Sequence, residues 1–130
     1  MKGFVFLLSL LFLPAFVLAE EEKEAKPNIE YLEMAPKFTV NLAGQSKYLM
    51  INVQLMIEGK ENLAKIKKHM PALRHALIML YSGRNDEELS SMEQREALRQ
   101  ETIKAIRKTL DKYENSAGLR DVFFTEFLLN

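Results

Sequence analysis

Residues 48–57, YLMINVQLMI, decide the fold of this chain. Leucine, isoleucine or valine occupies every odd position from 49 to 57. This period of two is typical of a β-strand that buries one face. The other face is only partly polar, because it carries Tyr48, Met50 and Met56. A helix or a neighbouring subunit could therefore cover that face as well.

The residues before this strand predict a second strand that runs antiparallel to it. Phe38, Val40 and Leu42 alternate with polar residues, again with a period of two. A short turn-forming stretch with one glycine, residues 43–46, joins the two strands. So short a connection favours a β-hairpin. Residues 31–34 predict a further short strand that ends before Pro36.

After Gly59 the period becomes helical. Apolar residues now recur every three or four positions and form one stripe, at Leu63, Ile66, Met70, Leu73, Leu77 and Leu80. Pro71 fits the first turn of a helix better than its middle. We therefore predict two helices, at 60–69 and 71–81, or one kinked helix. Gly83 lies where a left-handed residue would end the second of them.

A third helix and a last strand complete the predicted elements. Whichever of Ser90 and Ser91 is the N-cap, the residues that follow offer a capping box. The helix should run to about residue 113 and turn one side inward, with Leu98, Thr102, Ala105, Ile106, Leu110 and Tyr113 on it. Residues 119–129, LRDVFFTEFLL, are rich in aromatic residues and predict a strand.

The order of these elements predicts the fold class. The last strand has to pair back onto the hairpin in order to bury Phe123, Phe124 and Phe127. We expect an α+β fold in which a small, mostly antiparallel sheet packs with two to three helices.

An apolar run at the start of the chain predicts its compartment. Residues 4–19, FVFLLSLLFLPAFVLA, follow one lysine and precede acidic residues, which is typical of an export signal cleaved after Ala19. The alternative is an uncleaved anchor, although these residues make only about 24 Å of helix at roughly 1.5 Å per residue. A membrane span usually needs roughly 20 apolar residues. Both interpretations place the remaining chain across the inner membrane of a bacterium.

We divide the chain accordingly. Residues 1–19 are predicted to be a signal peptide or a short membrane anchor, residues 20–29 a charged linker, and residues 30–130 a periplasmic domain. The length of 130 residues allows one ordinary domain.

Composition excludes several classes of site. The 18 basic residues balance 18 acidic ones, and no aromatic residues interleave with the basic cluster, so we expect no nucleic acid partner. Without cysteine, disulfides, thiolate zinc sites and cysteine nucleophiles are impossible. His69 and His75 lie about 240° apart on a helix at roughly 100° per residue, so we expect them to face solvent separately. We therefore predict a non-enzymatic protein with no catalytic, cofactor or metal site.

One basic cluster is a candidate contact surface. Lys65, Lys68 and Arg74 lie on the predicted helices and could meet an acidic partner or lipid head groups. The alternative is an ordinary solvated helix face.

The ordered series of segments resembles the FliL family of flagellar basal-body proteins. The similar segments together cover about residues 30–130, and they are Tyr31-Leu32, 38–42, Tyr48-Leu49 with its strand, 71–78, 86–89, 96–99 and 121–127. The last of these, DVFFTEF, is the most similar. No one segment is a specific motif, so the resemblance depends on their order.

The resemblance implies a periplasmic domain of the stomatin/prohibitin type that assembles into rings. It further implies flagellar stator and basal-body proteins as partners, a homo-oligomer or an assembly with a paralogue, and a position near the inner membrane. The implied role is to support flagellar rotation, motility, swarming and chemotaxis, without catalysis. Typical members carry a clear transmembrane helix, and the run at 4–19 is shorter than that. A cleaved chain would reach the motor by docking onto an anchored paralogue.

A second class of function stays open. The domain could be a periplasmic binding module or chaperone that grips peptide or lipid along an edge strand. The two candidate edges are residues 38–42 and 119–129.

Overall fold

A computed structural model describes residues 28–130 of the chain. The predicted signal or anchor and the predicted linker up to residue 27 lie outside these residues. The elements are β1 (Ile29–Glu33), β2 (Phe38–Asn41), β3 (Tyr48–Glu58), α1 (Lys60–Lys68), α2 (Met70–Tyr81), a short 3-10 helix (Asp86–Leu89), α3 (Met92–Asp111) and β4 (Leu119–Leu129). Within this part of the chain, no helix is both long and apolar enough to cross a bilayer.

The sheet is built around β3. β4 pairs antiparallel with β3 from Leu49 to Ile57, and so takes one whole edge of it. β2 pairs with the first half of β3 and β1 with the second half, also antiparallel. Because a strand has only two edges, β1 and β2 lie end to end along the opposite edge. The predicted hairpin and the return of the last strand are confirmed.

One face of the sheet carries the core. The odd residues of β3 are fully buried, as their alternation predicts. Their neighbours in register on the flanking strands, Phe38, Val40 and Val122, are buried on the same face. Apolar residues of the three helices complete this core, among them Ile66, Leu73, Leu77, Leu98, Ile106 and Leu110. The result is the expected α+β fold, with three helices and an antiparallel sheet.

The helices begin and end close to the predicted positions. Pro71 lies in the first turn of α2, and α1 and α2 are separate helices. Gly83 has a φ of 79°, as a left-handed cap requires. Ser91 is the N-cap of α3 and forms a capping box with Gln94.

One residue of the predicted inner helix face is placed differently. Tyr113 was expected inward, but α3 ends at Asp111 and Tyr113 lies in the following turn, where it is exposed. Its ring stacks on the imidazole of His69, with ring centroids 4.0 Å apart. The helical period stops applying once the backbone leaves the helix, and the side chain then follows the turn.

A buried polar pair links α2 to α3. The Tyr81 hydroxyl donates to Thr102 Oγ1 over 2.8 Å, and Thr102 Oγ1 in turn donates to the Leu98 carbonyl. Burial raises the pKa of the Tyr81 phenol, so its proton stays in place. Thr102 is the buried polar residue of the described core.

We predict that Thr102→Val destabilises the fold more than Tyr81→Phe. Thr102→Val leaves the buried Tyr81 hydroxyl without an acceptor, which costs roughly 1–3 kcal/mol. Tyr81→Phe removes one hydrogen bond while Thr102 keeps its carbonyl partner, which costs roughly 0.5–1.5 kcal/mol. Urea unfolding of the three proteins measures the difference.

Thr109→Val is the matched control, because Thr109 also donates to a helix carbonyl, that of Ala105, but accepts from no tyrosine. It should cost less than Thr102→Val. Equal losses for the two threonine variants would contradict the proposed importance of the Tyr81 hydroxyl.

Candidate functional site

A concavity of the described domain lies between α3 and β4. We call it the edge groove, and its lining residues are Met92, Glu93, Arg95, Glu96, Arg99, Phe123, Phe124 and Phe127. Its volume is about 710 Å³. A groove of this size with an apolar floor and a few charged groups is typical of a binding surface.

Phe124 and Phe127 of β4 form the floor of the edge groove. Phe123 also lines the groove, but it pairs with Gln54, so its side chain points to the opposite face of the sheet. Phe124 and Phe127 have ring centroids 5.8 Å apart, and Phe124 also meets the buried Tyr81 ring edge to face at 6.5 Å. All three phenylalanines stay half-buried. The sequence predicted that pairing β4 with the hairpin would bury them. Pairing does occur, but α3 covers Phe124 and Phe127 only in part, and Phe123 faces the other side of the sheet.

Two irregularities in β4 position these rings. The register with β3 shifts at Asn52/Val53 and again at Met56/Ile57, so β4 has one extra residue at each place. The first shift leaves Thr125 unmatched between Phe124 and Glu126. Each bulge moves the following side chains by one position relative to a regular strand. Phe124 and Phe127 therefore reach the helix side although they are three residues apart.

Arg95 forms one wall of the groove. Its guanidinium carbon lies 4.3 Å from the centre of the Phe127 ring, which is a cation–π contact. Its Nε donates to the Leu89 carbonyl over 3.1 Å. None of the ion pairs formed within residues 28–130 includes Arg95. The guanidinium is thus held in place by an aromatic ring and a carbonyl, and its charge has no carboxylate partner in this part of the chain.

Arg99 joins α3 to the start of β4. It binds both carboxylate oxygens of Glu96, each over 2.9 Å, and contacts Asp121 Oδ1 at 2.6 Å. Its Nη1 also donates to the Val122 carbonyl over 2.8 Å. The bond to Glu96, together with Asp121, raises the pKa of Arg99. Arg99 and Gln100 in turn lower the pKa of Glu96 to about 2 by hydrogen bonding to its carboxylate.

The outer edge of β4 is capped in its first half. Arg107 donates to the Leu119 carbonyl over 3.0 Å, and Arg99 to the Val122 carbonyl. The Val122 amide donates to Asp121 Oδ1 over 2.8 Å. Side chains that occupy an edge in this way stop other strands from pairing with it. Strand addition at residues 119–122 is therefore blocked.

The sheet face that points away from the helices is a second candidate surface. It carries Tyr31 opposite Met56 and Met50 opposite Leu128, and we call these four residues the open sheet face. Tyr31 is 56% exposed and Leu128 46% exposed. The helices of residues 60–111 pack on the opposite face, so the predicted cover for this face does not come from them.

The predicted contact residues Lys65, Lys68 and Arg74 have different surroundings. Lys65 and Lys68 are exposed on α1, three positions apart on the same side of the helix. Arg74 on α2 is half-buried, donates to the Met34 carbonyl over 2.8 Å, and lies 4.1 Å above the Phe38 ring. Desolvation lowers the pKa of Arg74. Its side chain is committed to joining α2 to the β1–β2 connection.

The two histidines differ from each other. His75 is exposed, as predicted. The expectation for His69 is wrong, because its ring is half-buried, stacks on Tyr113 and lies 3.0 Å from the Asn115 amide nitrogen. The turn after α3 returns to the start of α2 and covers it, a long-range contact that helical periodicity does not report. Within residues 28–130, no three histidine, aspartate or glutamate side chains come together as metal ligands would.

Sequence reasoning did not single out Arg95 or the free charge it brings to the edge groove. Arg95 and Arg99 lie four positions apart on the predicted third helix, so they share a face. The last strand carries three phenylalanines, more aromatic area than a small core needs. The combination of the two could have indicated an arginine-lined aromatic surface, but not which strand edge lies beside it.

Comparison with known proteins adds a family relation. The family model described as "Flagellar basal body-associated protein FliL" matches residues 31–129. The chain is 32% identical over 110 residues to the flagellar protein FliL of Aquifex aeolicus, which covers 82% of the chain and 66% of that relative. It is 25% identical over 92 residues to the flagellar protein FliL of Escherichia coli K12, which covers 71% of the chain and 60% of that relative. The chain thus spans less than two thirds of the length of these relatives.

We predict that Glu96 stabilises the fold only above strongly acidic pH. Its pKa is about 2 in the folded protein, below its ordinary value of 4.5. When folding lowers the pKa of a carboxyl group, the group stabilises the folded state fully at pH values above its ordinary pKa. This stability is lost as the pH falls through the pKa of the folded protein. Wild type should therefore melt above Glu96→Gln at neutral pH, and the two melting temperatures should converge between pH 4.5 and about 2.

Glu93→Gln is the control for this titration. Glu93 lies on the same helix turn and makes no ion pair within the described domain. At neutral pH, where Glu96→Gln lowers the melting temperature, Glu93→Gln should leave it close to that of wild type. A Glu96→Gln difference that stays constant from pH 6 to about 2 would contradict the role of the Arg99 contact.

Proposed function

This chain belongs to the FliL family of flagellar basal body-associated proteins, and we propose that it supports flagellar rotation as a non-enzymatic part of the motor's surroundings. The observation that carries the proposal is the family match, which extends over residues 31–129 and so over nearly the whole described domain. Motility, swarming and chemotaxis are the processes that would depend on it.

We infer that the domain works in the periplasm, next to the inner membrane. This proposal rests on the apolar run at residues 4–19, which either is cleaved after Ala19 or stays as an anchor. If the run is cleaved, docking onto an anchored paralogue would bring the domain to the motor. Residues 20–29 would then form the charged linker that separates the domain from the membrane.

We propose that copies of the domain assemble with one another or with a paralogue, in a ring of the stomatin/prohibitin type beside the stator. The support is the open sheet face, where Tyr31 and Leu128 are exposed apolar residues on a sheet face without a helix. The two residues lie towards opposite ends of this face, each paired with a methionine, Met56 or Met50. Exposed apolar patches on a small domain often mark a contact with another subunit. Met92, 80% exposed beside the edge groove, adds a second such position.

A second candidate function is a periplasmic module or chaperone that grips peptide or lipid at a sheet edge. The observation that favours it is the edge groove, which lies along β4 and has an apolar floor. Of the two edges that the sequence indicated, β4 is the longer strand, with eleven residues against four in β2.

We predict that deletion of the gene reduces swarming and motor speed while filaments are still assembled. Loss of torque support would lower rotation without preventing export of filament subunits. Swarm-plate diameter, tethered-cell rotation and filament counts measure the three properties, with the gene supplied in trans as control. A fluorescent fusion should localise to flagellated sites. Normal swarming and rotation in the deletion strain would contradict the proposed role.

We predict that the double variant Lys65→Glu, Lys68→Glu weakens association with the inner membrane or with the motor. Both side chains are exposed and make no ion pair within residues 28–130, so the change should leave folding intact. Localisation of the fusion and flotation with anionic vesicles measure the effect.

Lys104→Glu on the exposed side of α3 and Arg74→Gln provide the comparison. Lys104→Glu should behave as wild type in both assays, since Lys104 is exposed and lies on another helix. Arg74→Gln should lower the melting temperature, because Arg74 bonds the Met34 carbonyl. Unchanged localisation of the Lys65, Lys68 double variant would make this part of α1 an ordinary solvated surface.

A further inference from the structure

The second half of β4 has a hydrogen-bonding edge that faces away from β3. Asn130 and Tyr48 exchange both backbone hydrogen bonds, at 3.0 and 3.2 Å. In an antiparallel ladder, hydrogen-bonded and non-hydrogen-bonded pairs alternate. The next pairs, Leu129 with Leu49 and Phe127 with Ile51, show that Phe127 and Leu129 turn their backbone N–H and C=O groups outward.

These outward groups differ from those of the first half of the strand. The Leu119 and Val122 carbonyls and the Val122 amide each bond a side chain. No side chain of residues 28–130 forms a hydrogen bond with the outward N–H and C=O groups of Phe127 and Leu129. Natural sheets usually protect such an edge. Here, protection stops at the point where the edge groove begins.

The groove lies directly along this open edge. Phe127 contributes its outward backbone groups to the edge and its ring to the groove, and Phe124 continues the apolar floor. A strand added to β4 would point alternate side chains to the helix side of the sheet. One of these side chains would lie over the Phe124 ring, and another would lie near Phe127.

Arg95 indicates which charge the side chain of the added strand near Phe127 would carry. Its guanidinium covers the Phe127 ring and lacks a carboxylate partner within residues 28–130. Arg99, next to it, is already bound by Glu96 and Asp121. A carboxylate brought in by a ligand would therefore find Arg95 in place and uncommitted, which favours charge-assisted pairing.

We propose that the edge groove binds an extended peptide segment of a partner protein by strand addition to β4. The segment pairs with the outward backbone groups of Phe127 and Leu129. It places an apolar side chain against Phe124 and, two residues away, an acidic side chain against Arg95. This proposal rests on the proposed function in one respect, since it names the chemistry of a partner that the basal body or the periplasm would supply.

Other occupants fit the observations less well. A lipid chain would fill the apolar floor but would leave the outward amides of Phe127 and Leu129 without acceptors. A second copy that pairs through its own β4 would present Glu126, but that carboxylate is on the open sheet face, 2.7 Å from Lys37 Nζ. It would not reach Arg95 on the helix side.

The test uses the full chain in detergent and three capped synthetic peptides. The first is rich in threonine and carries leucine, glutamate and leucine at alternate positions. The second has lysine in place of that glutamate. The third has the first sequence with N-methyl groups on the amides that would pair with β4. Titration with fluorescent peptide gives Kd, and hydrogen exchange with mass spectrometry locates the protected amides.

We expect the first peptide to bind and to slow exchange in residues 123–130. The lysine and N-methyl peptides should bind at least about tenfold more weakly, since each loses an interaction of the size of one charge-assisted or strand hydrogen bond. In the protein, Arg95→Glu should raise the Kd of the glutamate peptide by a similar factor and lower the Kd of the lysine peptide. Lys104→Glu, the same charge change on an exposed part of α3, should change neither Kd.

Several results would overturn the proposal. They are equal Kd values for the glutamate and lysine peptides, protection outside residues 123–130, and no binding of the first peptide to a protein that melts normally. Protection of the same residues that rises with protein concentration in the absence of peptide would assign the edge to a second copy.

The deletion phenotype measures the proposed function separately. A negative peptide result therefore leaves the proposed function standing, and normal swarming would not affect the peptide result.

Discussion

Both edges of β3 are hydrogen-bonded to other strands, and the rest of the structure depends on this arrangement. A strand enclosed in this way has its backbone groups satisfied, so its side chains alone decide which face is buried. Five branched residues lie on one face and are fully buried beneath the helices. Because β3 has no free edge, every available edge of the sheet belongs to β1, β2 or β4. The surfaces open to partners are set by how those outer strands are covered.

α3 controls the availability of the β4 edge. Its arginines at 99 and 107 reach the first carbonyls of β4 and prevent pairing there. The helix starts at Met92 and does not extend over the end of β4, so the phenylalanine floor and the outward groups near Phe127 are left beside a groove. One helix thus protects part of an edge strand and forms the wall of the edge groove along the remainder. A protein that must stay unaggregated and still bind a partner benefits from this division.

The candidate contact residues show where reasoning from a helical pattern reaches its limit. Lys65, Lys68 and Arg74 belong to one basic cluster in the sequence, and α1 does present the two lysines to solvent. Arg74 instead bonds a carbonyl forty residues away and lies over the ring of Phe38. The same limit applies to His69, which the turn after α3 covers. In each case the deciding neighbour is distant in sequence, and a periodic pattern reports only neighbours within a few turns.

By itself the sequence determined the fold class, because alternation in residues 48–57, the helical stripe after Gly59 and the capping residues are local signals of burial and backbone geometry. It also determined that the last strand returns to the hairpin, since its three phenylalanines require cover. Only the tertiary structure decided that β1 and β2 share one edge of β3, that two bulges direct Phe124 and Phe127 to the helix side, and that Arg95 forms no ion pair within residues 28–130. These features depend on register and on contacts between distant segments. The free energy of such a contact depends on both chain segments that form it, so neither segment by itself reveals it.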